Sequence, residues 1–353
     1  MSRVSPHFLL RLGSVASDST RPVGGPVRIG VSRCMGGGAD ALEVELAARR
    51  GIAPGDEASA ELGFDGETET VFTGSVVEVA ATLVGVRVLA LGRMDRLLRL
   101  RLARSYEERS VGAIVRDLAD AAGVDVGQAD EGPTLPRFAL DGRLNAGRQL
   151  RALADRLGFE LYTDRDGRLM FRALGAAAAL DGGGLGGLAA AAGGAAQSLL
   201  GGGSGTGYQV GKHLIAARAA HRVTGLEQVQ VGGEGPASSH GSQSSWWLST
   251  GADQNHGSAG SGSAATLIFD AAARTKDLAD RFAAGYLASA SRGTHTLWLR
   301  TLGRAALELG DAVQVSAAAD EALNRSGYVR AVSHRCSSTA GFVSDIGVEV
   351  EGA

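Results

Sequence analysis

The sequence predicts a mainly β protein into which a small α+β unit is inserted. Three observations carry this. Short runs with period-two alternation, separated by turn residues, fill roughly the first hundred positions and return in the last sixty. Between them lie two segments with helical spacing, each opened by a capping residue. A hairpin signal then follows the second helix directly.

The elements read as follows in chain order. Ala41-Leu-Glu-Val-Glu-Leu-Ala alternates apolar and charged side chains, the pattern of a half-buried strand. Turn chemistry stands at Ala53-Pro-Gly-Asp and Phe64-Asp-Gly-Glu, and two further strands are expected over residues 68–79 and 83–91. Several strands with turns between them, and no helical period, specify a barrel or a sandwich for residues 1–102. Ser110 is placed to cap a helix presenting Val111, Ile114, Val115, Leu118 and Ala119, which Gly123 would end. A second helix starts near Asn145 with Leu150, Leu153, Ala154 and Leu157 on one face, and Gly158 stops it. Phe159-Glu-Leu-Tyr and Leu169-Met-Phe flank Asp164-Arg-Asp-Gly, which closes the inserted unit at residues 103–173 as a hairpin.

Residues 174–207 are Gly/Ala-rich and read as a linker or surface loop, or as a segment packed at a symmetric interface. A second β region is expected over 208–353. It includes a Gly/Ser-rich loop at 232–263 that carries Trp246-Trp247. It also includes a helix from about 270 to 289, with Leu278, Phe282 and Tyr286 on one face, and strands at 294–302, 312–316, 327–333 and 342–350.

Composition narrows the function classes. At 353 residues the core needs no covalent staples, and two cysteines, Cys34 and Cys336, give no disulfide framework. A net charge of −3 supplies no basic field for nucleic acid and no polybasic membrane patch. The N-terminus has no long apolar stretch of a signal peptide, so synthesis in the cytoplasm is expected, without stable membrane insertion.

No catalytic, cofactor-binding or metal site is assigned. His334-x-Cys336 is a close pair of soft ligands that would share one strand face, but a structural zinc site needs two more. Glu160, Asp164 and Asp166 offer carboxylates for glycoside hydrolysis, yet Asp164 and Asp166 fall in the hairpin turn, where Asp serves the backbone. Gly36-Gly37-Gly38 opens no helical pattern and reads as a turn rather than a phosphate loop.

Three blocks carry a family likeness. The first runs through Val71-Phe-Thr-Gly-Ser-Val-Val-Glu-Val, Val86-Arg-Val-Leu-Ala-Leu-Gly-Arg-Met-Asp-Arg-Leu and Ser110-Val-Gly-Ala-Ile-Val-Arg-Asp-Leu-Ala. The second is Leu150-Arg-Ala-Leu-Ala-Asp-Arg-Leu-Gly-Phe-Glu-Leu-Tyr with Asp166-Gly-Arg-Leu-Met-Phe. The third is Leu309-Gly-Asp-Ala-Val-Gln-Val, Gly327-Tyr-Val-Arg-Ala-Val-Ser-His and Gly341-Phe-Val-Ser-Asp. In order and spacing these resemble the phage late control protein D family, the hub proteins also found as the first half of VgrG spikes.

The resemblance implies two tube-like β-barrel domains in one chain with a small helix-hairpin domain inserted. It further implies a non-enzymatic baseplate hub of a contractile injection system or phage tail. Such a hub is a homotrimer whose six barrels meet the hexameric inner tube ring and whose other face meets a trimeric spike. It would be made in the cytoplasm and end as part of an assembled tail or virion. Only three residues follow Val350, so the spike is expected to be a separate protein, alongside other baseplate proteins as partners. The competing expectation is a tail-associated peptidoglycan hydrolase or glycan-binding module.

Overall fold

A computed structural model of the chain describes residues 5–20, 26–36, 38–48, 51–175, 206–223, 226–233, 256–262 and 265–350. The first β region comprises β1 (Pro6–Leu12), β2 (Val15–Asp18), β3 (Pro26–Cys34), β4 (Ala41–Leu46), β5 (Glu57–Phe64), β6 (Glu67–Thr82) and β7 (Gly85–Gly92). Next come α1 (Met94–Arg99), β8 (Ala103–Ser110), α2 (Val111–Ala121), β9 (Val126–Ala129), β10 (Thr134–Asp141), α3 (Ala146–Leu157), β11 (Glu160–Thr163) and β12 (Leu169–Arg172). The remainder holds β13 (Thr206–Gln209), β14 (Leu214–His221), β15 (Gln228–Gly233), β16 (His256–Gly260), β17 (Ala265–Asp270) and α4 (Lys276–Ser291). It ends with β18 (His295–Leu302), β19 (Ala312–Ser316), β20 (Ser326–Ser337) and β21 (Gly341–Val350).

Both β regions run into one sheet of thirteen strands, ordered β14-β18-β21-β20-β3-β4-β7-β6-β5-β1-β2, with β13 joined to β19 and β19 to β20. The seam is β20. Its first residues pair with β19, and residues from Ala331 onward pair antiparallel with Cys34 back to Arg28 on β3. Alternation chooses the buried face on either side: Ile29 and Val31 on β3, Leu42, Val44 and Leu46 on β4, Val86, Val88 and Ala90 on β7.

Two separate apolar cores form on this sheet. One gathers Leu10, Leu42, Val44, Leu62, Phe72 and Val88. The other gathers Tyr208, Leu297, Leu299, Val313, Val329 and Ile346. Each fully buried side chain of this kind contributes about 1.5–3 kcal/mol. The sheet is therefore mainly β architecture in two modules rather than one large barrel.

Curling comes from the sixteen-residue β6, which pairs with β5 along its first half and β7 along its second. The register shifts between Ala60 and Glu61 and between Val76 and Glu78, and such bulges bend a strand and add twist. At Gly74 a Cβ would sit 2.2 Å from the Leu91 carbonyl oxygen, so this crossing tolerates only glycine.

The expected helices are present. Ser110 Oγ accepts from the Ala113 N–H at the start of α2, and Asn145 from the Arg148 N–H at the start of α3; Gly158 leaves α3 in the left-handed region at φ 71°. Their apolar faces form a third core with the β9, β11 and β12 sheet.

One assignment differs from expectation. The sequence pattern groups residues 208–353 as a second β region, whereas β15, β16, β17 and α4 pack into this third core. The reason is apolar matching: Val229, Val231, Leu278 and Phe282 would otherwise face water, and α4 sits between the β15–β16 strands and the remaining face of α3. Close approach of α4 to α3 is set by Gly285, whose hypothetical Cβ would stand 2.1 Å from the Arg156 carbonyl. The helix also begins at Lys276, later than the expected 270, because Thr275 caps it and Asp270 ends β17. The strand β16 lies inside the Gly/Ser-rich 232–263 stretch, whereas Trp246-Trp247 and residues 176–205 of the Gly/Ala segment lie outside the described residues.

Candidate functional site

The three units meet at a buried ionic junction built on Arg33. Period-two alternation places Arg33 on the same inward face of β3 as Ile29 and Val31, and its residue is 2% exposed. Its Nη2 donates to Glu308 Oε2 at 3.0 Å and to the Thr163 carbonyl at 3.2 Å, and its Nε lies 3.4 Å from Asp40 Oδ2. Thr163 Oγ1 donates to the same Asp40 oxygen at 3.0 Å. Arg165 pairs with Glu308 and reaches Glu69 of β6 at 3.2 Å. One guanidinium thus ties the first β module to the β11–β12 hairpin and to the loop before β19. Burial pushes the Asp40 carboxyl up to about 6, with Arg33 and Thr163 opposing that rise.

A second cluster surrounds Glu160, which is 1% exposed. Arg292 Nε approaches it at 2.9 Å, Arg330 Nε at 3.3 Å and Arg151 Nη1 at 3.9 Å. None of these approaches is aligned as a directed hydrogen bond, so they act as ion pairs. Asp155 takes Arg151 at 2.9 Å, and Glu349 takes Arg330 at 3.3 Å. Three arginines and three carboxylates therefore balance. Arg292 also donates to the Gly158 and Phe159 carbonyls at 2.5 and 2.7 Å, locking the end of α3 to the chain leaving α4.

The sequence-derived candidates take structural posts. Glu160 has no open approach for a sugar. Asp164 accepts from the Asp166 and Arg168 N–H groups at 3.0 and 2.8 Å, organising the hairpin loop, and Asp166 pairs with Arg168. His334 is 1% exposed, its Nδ1 lies 2.8 Å from Ser344 Oγ, and its ring sits 5.8 Å from that of Phe342. Burial, then the charges of Arg33 and Arg165, lowers its pKa to about 3. Cys336 shares its face and is buried, and among the described residues no three His, Cys, Asp or Glu side chains gather as a metal would need. Cys34 pairs in register with Ala331, five residues from Cys336, roughly 17 Å along a strand and beyond disulfide reach. Gly36 stands in a bend with its N–H 3.4 Å from the Leu161 carbonyl.

Outer features matter as much. The sheet ends at β14 on one side and β2 on the other. On and after β14, Ile215 is 56% and Val223 92% exposed. Among the described residues no helix is long and apolar enough to cross a membrane.

No family model and no curated protein matches the chain. Solved structures do match over the full length. A 43 kDa tail protein of prophage MuSo2 from Shewanella oneidensis is 15% identical, with a TM-score of 0.66 and 98% of each chain covered. A tail protein from Neisseria meningitidis MC58 is 12% identical, with a TM-score of 0.70, covering 99% of this chain and 97% of that one. The Escherichia coli c3393 protein is described as a type VI secretion component resembling the T4 tail proteins gp27 and gp5. It is 11% identical, with a TM-score of 0.54, covering 93% and 74%. The chain has the fold of these phage-tail and type VI secretion proteins.

Proposed function

We propose that this chain is a structural baseplate hub of a contractile injection system or phage-like tail. Three copies would join the hexameric inner tube to a trimeric spike, without turnover. The observation that carries it is one curled sheet bearing two separate apolar cores, with β14 and β2 as its terminal strands among the described residues. Two β modules per chain let a trimer present six, and β14, terminal in the sheet among the described residues, with exposed Ile215 on it and Val223 just after it, is a site for pairing with a neighbouring copy. The buried Arg33 and Glu160 clusters support the reading, since they fix the angle between modules that such an adaptor must hold. The neighbours named as tail proteins support it further.

Mass measurement by light scattering tests the assembly: a trimer that co-sediments with tube protein is expected. A stable monomer that binds no tube protein sinks the reading. The competing hydrolase is favoured by no observation, because Glu160 is enclosed by arginines. Clearing of cell walls by the purified protein, abolished in Glu160→Gln, would restore it.

A further inference from the structure

A cleft of about 670 Å³ opens between the β11–β12 hairpin and the loop that runs from β18 to β19, with Tyr208 of β13 in its wall. That volume lies in the range of about 300–1,000 Å³ usual for ligand sites.

Most charges in the cleft are engaged within the protein. Glu308 is held by Arg33 and Arg165, Asp166 by Arg168, Asp164 by two backbone N–H groups, and Asp311 accepts from the Glu308 N–H at 2.8 Å. Two arginines are left over. Neither Arg172 nor Arg304 makes an ion pair with a described carboxylate. Arg172 Nη1 donates to the Tyr162 hydroxyl at 3.4 Å, while its Nε is buried with no partner. The Arg304 guanidinium lies over the Tyr208 ring, with Cζ 5.9 Å from the centroid. Tyr208 is 0% exposed, and its hydroxyl has no hydrogen-bond partner.

Buried polar groups in native structures are almost always paired. Here the Arg172 Nε and the Tyr208 hydroxyl are buried without partners, the exposed Arg304 guanidinium has no carboxylate, and together they form a receptor for an anion. Guanidinium groups match a carboxylate with two parallel hydrogen bonds, and a phenol adds a third donor. The nearby Asp164, Asp166, Glu308 and Asp311 disfavour a doubly charged phosphate over a singly charged carboxylate. Met170, Leu307 and Leu309 supply apolar wall for a chain carrying that carboxylate.

We propose that this cleft binds a peptide carboxylate through Arg172, Arg304 and the Tyr208 hydroxyl. The carboxylate comes from a chain terminus or from an acidic side chain. The inference concerns the single chain and does not rest on the assembly reading.

Calorimetric titration of the full chain with four probes tests it. The probes are acetyl-Gly-Leu-Gly-Leu with a free terminus, the same peptide as its amide, acetyl-Gly-Glu-Gly-Leu amide, and inorganic phosphate. One or both carboxylate peptides should bind at least tenfold more tightly than the neutral amide, and which of them does so identifies the source. Arg304→Gln and Arg172→Gln should each weaken that binding about tenfold. Tyr208→Phe should weaken it while leaving the unliganded melting temperature unchanged or higher, because an unpartnered hydroxyl is removed. Should Arg304→Gln fail to fold, Arg304→Lys keeps the charge without the fork and should still lose affinity. No binding of either carboxylate peptide, equal binding of the neutral amide, tighter binding of phosphate, or indifference to the arginine substitutions overturns the proposal.

Discussion

Replacing Glu160 by Gln changes almost no volume and removes one buried charge. In the native cluster Arg151, Arg292 and Arg330 stand against Glu160, Asp155 and Glu349, so the substitution leaves one uncompensated guanidinium beside a residue that is 1% exposed. Removing one partner of a buried ion pair costs about 3–5 kcal/mol. The approaches to Glu160 are ion pairs rather than aligned hydrogen bonds, and Arg292 keeps its carbonyl partners. The lower end therefore applies, about 3 kcal/mol, out of the roughly 5–15 kcal/mol that holds a domain folded. Urea unfolding followed by far-ultraviolet circular dichroism measures it, as a lower midpoint at unchanged slope. The double variant Glu160→Gln/Arg330→Gln restores neutrality, and its loss should fall short of the sum of the singles by about 0.5–3 kcal/mol. A loss under about 1 kcal/mol for Glu160→Gln, or strict additivity in the double variant, would refute the charge-balance argument.

Two further outcomes are expected. His334 is neutral in the fold with its pKa lowered to about 3, against an ordinary value of 6.5, so its contribution is whole above pH 6.5 and declines as the pH falls towards 3. At pH 5, some 1.5 units below the ordinary value, wild type should have lost about 2 kcal/mol relative to His334→Asn, which cannot titrate but can still bond Ser344. Asp40, raised to about 6, works in the opposite direction over the same window, which is why the difference between the two proteins is the quantity to measure; parallel pH profiles would refute the assignment. Gly285→Ala should push α4 from α3 and cost about 1–3 kcal/mol, with faster amide exchange confined to α4 and β15–β17; exchange unchanged there would show that this contact is not what seats the helix.

Local rules made the fold class and most elements of the inserted unit legible, because caps and stops act within a few residues: Ser110, Asn145 and Gly158 do what their types do elsewhere. The strand β15 carried a readable signal in Gln228-Val-Gln-Val, a clean alternation that the surrounding glycine and serine obscured. By contrast, β14 reads Leu-Ile-Ala-Ala-Arg-Ala-Ala-His, and alanine has little strand preference of its own; pairing with β18 along seven positions decides its state. That α4 belongs with α3 was not legible, since both of its possible partners would offer apolar surface and only the close approach at Gly285 distinguishes them.

The junction shows most sharply where sequence reasoning stops. Arg33 is a charge at an inward-facing strand position, an anomaly that demands partners because an unpaired buried guanidinium is too costly to persist. Its distant partners were not visible: Glu308 is 275 positions away, and Thr163 is 130. Asp40 is a local partner seven positions away, but the Glu308 carboxylate can be assigned to this cation only once β20 has been paired with β3, which brings the two β modules into one sheet. The same pairing that creates the seam also brings Arg33 and Glu308 together across it, so sheet continuity and formation of this ion pair are two readings of one event. A chain that formed each β module correctly but failed to join them would leave these charges in water and gain nothing from them. The junction thus rewards the joined state alone, and this is how a sequence with two separate cores specifies a single arrangement of both.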